Sequence, residues 1–270
     1  MTAVPRSPRS RPLLTIGGRR SLLLIERNVY LYRRSWMMLL SGFFEPLFYL
    51  LSIGLGIGAI VGTIPGPDGQ PIPYQQFVAP ALLAQAAMNG AIAESTFNVF
   101  FRLNYEKVYD AVLATPLTTG DVALGEIGWA LIRGGLYSIG FVAVMLVLGL
   151  VSSPGVVFAV PAATLIGFAF ASVGMAATTF MRSWQDFDLI QLVILPLFLF
   201  SGTFYPLTAY PEGIQTIIEL TPLWHGVDLL RGLTTGVSDA PALIHVAYLS
   251  VMGAIGLAVV GRRLDRLLLK

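Results

Sequence analysis

Apolar residues along this chain gather into long runs separated by short polar or proline-rich breaks. Six runs predict membrane-crossing helices over 37–61, 77–101, 124–150, 156–180, 189–204 and 242–261. The fifth is short: Leu189 to Phe204 makes roughly 24 Å of helix against a hydrocarbon core of about 30 Å. The stretch after it, 205–233, is too apolar for a water-facing loop and is split by Pro206, Pro211 and Pro222. A truncated helix followed by amphipathic pieces predicts segments that dip back into one face of the membrane. Such backbone is tolerated only where protein or a cavity surrounds it.

Ahead of the first run, Leu22, Ile25, Val29, Tyr32 and Trp36 recur at spacings of three and four, while Arg20, Arg27 and Arg34 repeat at seven on the far side. This predicts an amphipathic helix over 15–36 lying in the membrane interface, although a helix packed on protein carries the same pattern. Residues 1–14 are rich in Pro, Ser and Arg and read as a disordered basic tail. Between the second and third runs, 102–121 predicts a short helix with Tyr105, Val108 and Val112 on one side and Tyr109 at its margin. Glu106, Lys107 and Asp110 spread around the other side, Pro116 ends the helix, and Thr118–Asp121 has the form of a cap for the next one. Docking element and plain connector both fit this loop.

Composition agrees with the runs. Hydrophobic residues make up 55% and charged residues 12%, against about 25% charged in soluble domains, and mean hydropathy is +0.74. The expected fold is therefore an all-α integral membrane protein, with 15–270 as a single transmembrane domain. Charge distribution sets its orientation. Eight Arg precede the first run, Arg102 and Lys107 follow the second, Arg182 follows the fourth, and Arg262, Arg263, Arg266 and Lys270 follow the last. The intervening loops 62–76 and 151–155 hold none, and 205–241 holds only Arg231. Both termini are expected in the cytoplasm and 205–241 outside. The first 36 residues carry no cleavable signal pattern.

Site chemistry is sparse. With no cysteine, thiol chemistry and Cys-ligated metals are excluded. The only lysines, Lys107 and Lys270, lie in no GxxxxGK[ST] motif, so the chain has no P-loop. Gly54, Gly56 and Ala59 match G-x-G-x-x-A inside a predicted membrane helix, where Gly54, Gly58 and Gly62 read better as a helix-packing face. His225 and His245 lack metal-ligand spacing and read as structural, and Asp186 and Asp188 read as helix N-terminal charges. No catalytic, cofactor or metal constellation is expected. Three charges fall within the predicted spans: Glu45, Glu94 and Arg133. Buried charges in membranes pair, so Arg133 is expected to pair with Glu94 or Glu45. The pair would either lock helices together or form a polar wall of a translocation path.

Four segments carry a family resemblance: EPLFYLLSIGLGIGAIVG (45–62), YEKVYDAVLATPLTTGDVALGEI (105–127), GFAFASVGMAATTFM (167–181) and LFSGTFYPLTAYPEGIQTIIELTPLWHGVDLLRG (199–232). Across nearly the whole chain they resemble the ABC-2 exporter permeases, those of the nodulation-factor and daunorubicin type above all. The resemblance implies six spans with a re-entrant helical pair between the fifth and sixth. It implies a bacterial inner-membrane protein that pairs with a second permease, identical or paralogous, and with two ABC ATPase subunits that hold ATP and Mg. It also implies contact with membrane lipid and none with nucleic acid. Tyr105, Glu106, Lys107, Val108, Tyr109, Asp110, Val112 and Pro116 would form the ATPase-coupling segment. Gly202, Phe204, Tyr205, Pro206, Pro222 and Trp224 would form an outer gate. The implied function is outward movement of an amphipathic substrate (a lipid-linked saccharide, glycolipid or drug), with an ion-coupled secondary transporter as the alternative.

Overall fold

A computed structural model describes residues 18, 20–33, 44–66 and 69–269. The predicted basic tail 1–14, Arg34, Trp36 and the start of the first predicted span lie outside the described residues. Helix α1 is Ser21–Arg33 and α2 is Phe44–Val61. A hairpin of β1 (Thr63–Pro65) and β2 (Pro71–Pro73) follows, with Thr63 opposite Pro73 and Ile64 opposite Ile72. Then come α3 (Tyr74–Ala93), α4 (Val99–Asn104), α5 (Val108–Leu113), α6 (Thr119–Val147) and α7 (Ala159–Thr178). The chain closes with α8 (Phe187–Leu199), α9 (Glu212–Glu219), α10 (Pro222–Thr235) and α11 (Ala242–Leu268).

Four helical stretches among the described residues are long and apolar enough to cross a bilayer: Phe44–Val61, Thr119–Val147, Pro154–Thr178 and Ala242–Leu268. They fall on the first, third, fourth and sixth predicted spans. The second is different in kind. Helix runs through 74–104, continuous but for a π-helical turn at Glu94–Asn98. It carries Gln75, Gln76, Gln85, Asn89 and Asn98, which lower its apolarity. It is instead the hub of the core: Phe77, Val78, Leu82, Leu83 and Met88 are all buried, and α3 packs on α6, α7 and α10. Helix α8, on the fifth predicted span, has 13 residues and buries none of them.

Small residues set the helix spacing. A Cβ at Gly256 of α11 would lie 2.8 Å from backbone atoms of Ser172 and Val173 in α7, and one at Gly174 would lie 2.5 Å from Ser95 Oγ. The packing face expected of Gly54, Gly58 and Gly62 is half present. Gly54 and Gly58 are buried facing the Gln75 side chain, whereas Gly62 is exposed. With φ at 71°, Gly62 ends α2 instead and lets the chain turn into the hairpin.

Hydrogen bonds gather the loops at two opposite ends. At one end, Gly18 N donates to Asp121 Oδ1 (3.0 Å), Thr119 Oγ1 donates to Asp265, and an Arg263 guanidinium nitrogen donates to Thr179 O (2.9 Å). At the other, Ser152 and Ser153 donate to Thr234 O, and Gln76 reaches Gly149 O. Both ends of the described chain therefore share the basic end, together with 105–121 and 179–186.

Candidate functional site

The basic end is built around one carboxylate. Helix α6 starts with a capping box: Asp121 N donates to Thr118 Oγ1 (3.2 Å), and Thr118 N donates to Asp121 Oδ2 (2.9 Å). Two glycines then let α1 lie against α6. A Cβ at Gly125 would meet Leu24 Cβ at 2.7 Å, and one at Gly128 would meet Ile25 Cδ1 at 2.9 Å. Between these glycines stands Glu126, 4% exposed. Its carboxylate accepts from Arg27 (3.0 Å) and Asn28 (3.3 Å) of α1 and from Arg102 (2.5 Å) of α4. Tyr109 of α5 sits fully buried beside this cluster. Burial first, and the Glu126 charge second, push its phenol well above the ordinary range. One buried anion thus ties α1, α4 and α6 together, and α5 packs beside it through the buried Tyr109.

The face of α1 packed on protein is Leu24 and Asn28, with Ile25 and Tyr32 half-buried, while Leu22 and Val29, on the stripe expected to meet the membrane interface, are exposed. The packed face includes the polar Asn28, whose partner is Glu126. On α5 the buried anchor is Tyr109, with Val108 and Val112 half-buried, and Tyr105 is 61% exposed. Glu106, Lys107, Asp110, Ala111 and Pro116 face outward. Lys107 has φ 53°, the one left-handed non-glycine among the described residues, and it turns the chain into α5.

Above this layer lies a cavity of about 870 Å³ between α2, α3, α6 and α8. Glu45, Glu94 and Arg133 all line it. Arg133 pairs with Glu94 at 2.5 Å, and its Nε donates to Tyr137 Oη at 2.8 Å. Its guanidinium lies over the Tyr32 and Tyr137 rings at 5.3 and 5.5 Å. Glu45 stands apart from the pair. Glu94 opens the π-helical turn of 94–98.

At the far end, Gly202 takes φ 67° and Arg231 donates to its carbonyl at 2.7 Å. The Arg231 guanidinium lies 3.8 Å over the Phe77 ring, which ties the segment after α8 to α10 and to the start of α3. Trp224 is buried against Gly202, Phe204 packs on Phe198 at 5.1 Å, and Tyr205 is exposed, its ring tilted against Tyr210 at 5.0 Å. Pro206 precedes the turn Leu207–Ala209, and Pro222 opens α10. The two histidines meet: their Nδ1 atoms lie 2.8 Å apart, and His245 Nε2 lies 2.9 Å from Asp228 Oδ2. Asp228 also accepts from the backbone of Asp239 and Ala240, so its carboxylate fixes the proton on His245 Nε2. Among the described residues no three His, Cys, Asp or Glu are placed to hold a metal ion.

Sequence reasoning passes over Glu126, Asn28 and Asp228, and places Tyr32 only on the apolar stripe of the first helix. A signal existed for Glu126. It lies within the predicted third span and two helical turns before Arg133, on the same face. Nothing in spacing joins Asp228 to His245 across 17 residues.

Comparison with known proteins places this architecture. A family profile described as ABC-2 type transporter matches residues 20–234. The chain is 31% identical over 259 residues to Nodulation protein J of Rhizobium leguminosarum bv. viciae, covering 94% of this chain and 98% of that one. It is 32% identical over 238 residues to Nodulation protein J of Rhizobium leguminosarum bv. trifolii, covering 87% and 89%. It is 24% identical over 227 residues to the inner membrane transport permease YadH of Escherichia coli (strain K12), covering 83% and 86%. A profile match over most of the chain, with relatives above 30% identity along nearly their full length, means that the chain belongs to the ABC-2 type transporter family.

Proposed function

We propose that this chain is the membrane-spanning permease subunit of an ABC exporter, moving an amphipathic substrate outward under the drive of a separate ATPase. The observation that carries the reading is α5: its outer face is exposed, and its inner face buries Tyr109 beside the cluster in which Glu126 joins α1, α4 and α6. A push on α5 therefore reaches three helices at once. The chain has no P-loop, so ATP and Mg belong to the partner, in two copies. Six spans, with 74–104 and α8 as the second and fifth, put the basic end in the cytoplasm with both termini. The stretch 202–233 then becomes an outer gate of re-entrant helices. Helix α8 packs on the core through half-buried Ile190, Ile194, Leu197 and Phe198, which leaves its outer side free for lipid or for a second permease copy or paralogue. Such a chain works in the bacterial inner membrane as a transport subunit without its own catalytic site.

The docking face has a direct test. Ala111 is exposed at the centre of α5. Ala111→Glu should abolish co-purification with the cognate ATPase subunit and leave the thermal stability of the permease within about 0.5 kcal/mol. Unchanged co-purification would remove α5 as the docking element.

A further inference from the structure

The cavity above the Glu126 cluster has a chemical bias that points to what it holds. Its lining contains three charged side chains, Glu45, Glu94 and Arg133, and is otherwise neutral. Arg133 is paired with Glu94, donates through Nε to Tyr137 and lies over two phenol rings. Glu94 is spent on the same pair. Among the described residues no cation pairs with Glu45, which is exposed on the cavity side of α2. Counted over the described residues, the wall therefore carries one negative charge in excess.

Aromatic rings line the same cavity. Tyr49 follows Glu45 by one helical turn, and Trp184, Phe187 and Phe97 line the same space. Phe97 is 54% exposed although it is a large apolar ring, and it packs on Phe187 at 5.5 Å. The volume of about 870 Å³ lies within the range of roughly 300–1,000 Å³ usual for small-molecule sites. An anionic head group entering here would meet two carboxylates, and the one guanidinium is already occupied. A neutral head group would draw nothing from Glu45. A lipophilic cation uses both features, the carboxylate for its charge and the ring faces for cation–π contact.

We propose that this cavity is a binding site for lipophilic cations, amphiphiles whose head is an ammonium or a similarly diffuse positive charge, with Glu45 as the selecting residue. Its role as a substrate site rests on the export reading. The binding itself is measured on the full chain with no ATPase and no ATP, so the two readings stand or fall separately.

The test uses tetraphenylphosphonium and tetraphenylborate, ions of nearly the same shape and opposite charge. Equilibrium dialysis against the full-length protein in detergent micelles, with empty micelles subtracted, should give saturable binding of the phosphonium and none of the borate. Glu45→Gln should weaken phosphonium binding on the order of tenfold. Glu212→Gln, an exposed carboxylate on α9 away from the cavity, should leave it unchanged. Saturable borate binding by the unmodified protein at equal or higher affinity would overturn the proposal. So would absence of saturable phosphonium binding, or a Glu45→Gln affinity within twofold of the original.

Discussion

Removing the Arg133 guanidinium leaves Glu94, 5% exposed, without its counter-ion. Breaking a buried pair by deleting one partner costs about 3–5 kcal/mol, because the remaining charge stays desolvated. Arg133→Met should therefore lower thermal stability by that order, read as a fall in melting temperature of the purified protein. Adding Glu94→Gln should restore most of the loss, since the amide carries no charge and Tyr32 Oη lies within 3.5 Å of the same position. An Arg133→Met protein of full stability would show that the pair locks nothing. At this scale the sequence was informative about charge and poor about partners. It marked Glu94 and Arg133 as a pair because charges inside apolar runs are few. It set Glu45 beside them on equal terms, because depth along a helix says nothing about which way a side chain faces.

Helix contacts depend on individual glycines, and two of them on α11 separate packing from propensity. A methyl at Gly256 would press on the backbone of Ser172 and Val173, which has no room to give, whereas a methyl at Gly261 meets nothing within 4 Å. Gly256→Ala should destabilise by about 1–3 kcal/mol. Gly261→Ala should be neutral or stabilising by up to about 1 kcal/mol, as helix propensity directs. Equal effects in a thermal-shift comparison would contradict the close α7–α11 contact. Ahead of α8, Asp186 Oδ2 accepts from Arg182 N (2.7 Å) and Ser183 N (3.1 Å), and these bonds hold its carboxyl below its ordinary value of 3.8. A depressed carboxylate stabilises above its unfolded pKa and loses that contribution as pH falls through the folded one. The capped turn should persist at neutral pH and open in acid, with a carbon-13 titration of Asp186 giving a midpoint below 3.8. The Thr118–Asp121 cap was legible in sequence because it is a local motif of known spacing, while Asp186 was read only as a helix N-terminal charge and its Ser183 partner was missed. The protein-packed face of α1 was not legible, because the burial of Asn28 is decided by Glu126 on another helix. The hairpin at 63–73 was equally hidden, between two helices in a loop too short to show alternation.

For the whole molecule, the arginine bias and the hydrogen bonds agree. The loops rich in Arg and Lys gather at one end of the bundle, and 62–66, 69–76, 149–155 and 234–241 gather at the other. Apolar runs gave the long helices, but apolarity alone underrates 74–104, whose amides face protein and cavity rather than lipid. The cavity itself was invisible in the sequence, since its wall is assembled from α2, α3, α6 and α8, more than a hundred residues apart. The central claim is that this permease moves its cargo only when an ATPase subunit works against its basic end. The most direct measurement is transport in proteoliposomes holding the permease with its cognate ATPase, with ATP supplied on the side of α5. The account predicts movement of an amphiphilic probe away from that side, lost when the ATPase is omitted or its ATP hydrolysis is blocked. Transport that continues without the ATPase, driven by an ion gradient alone, would contradict it.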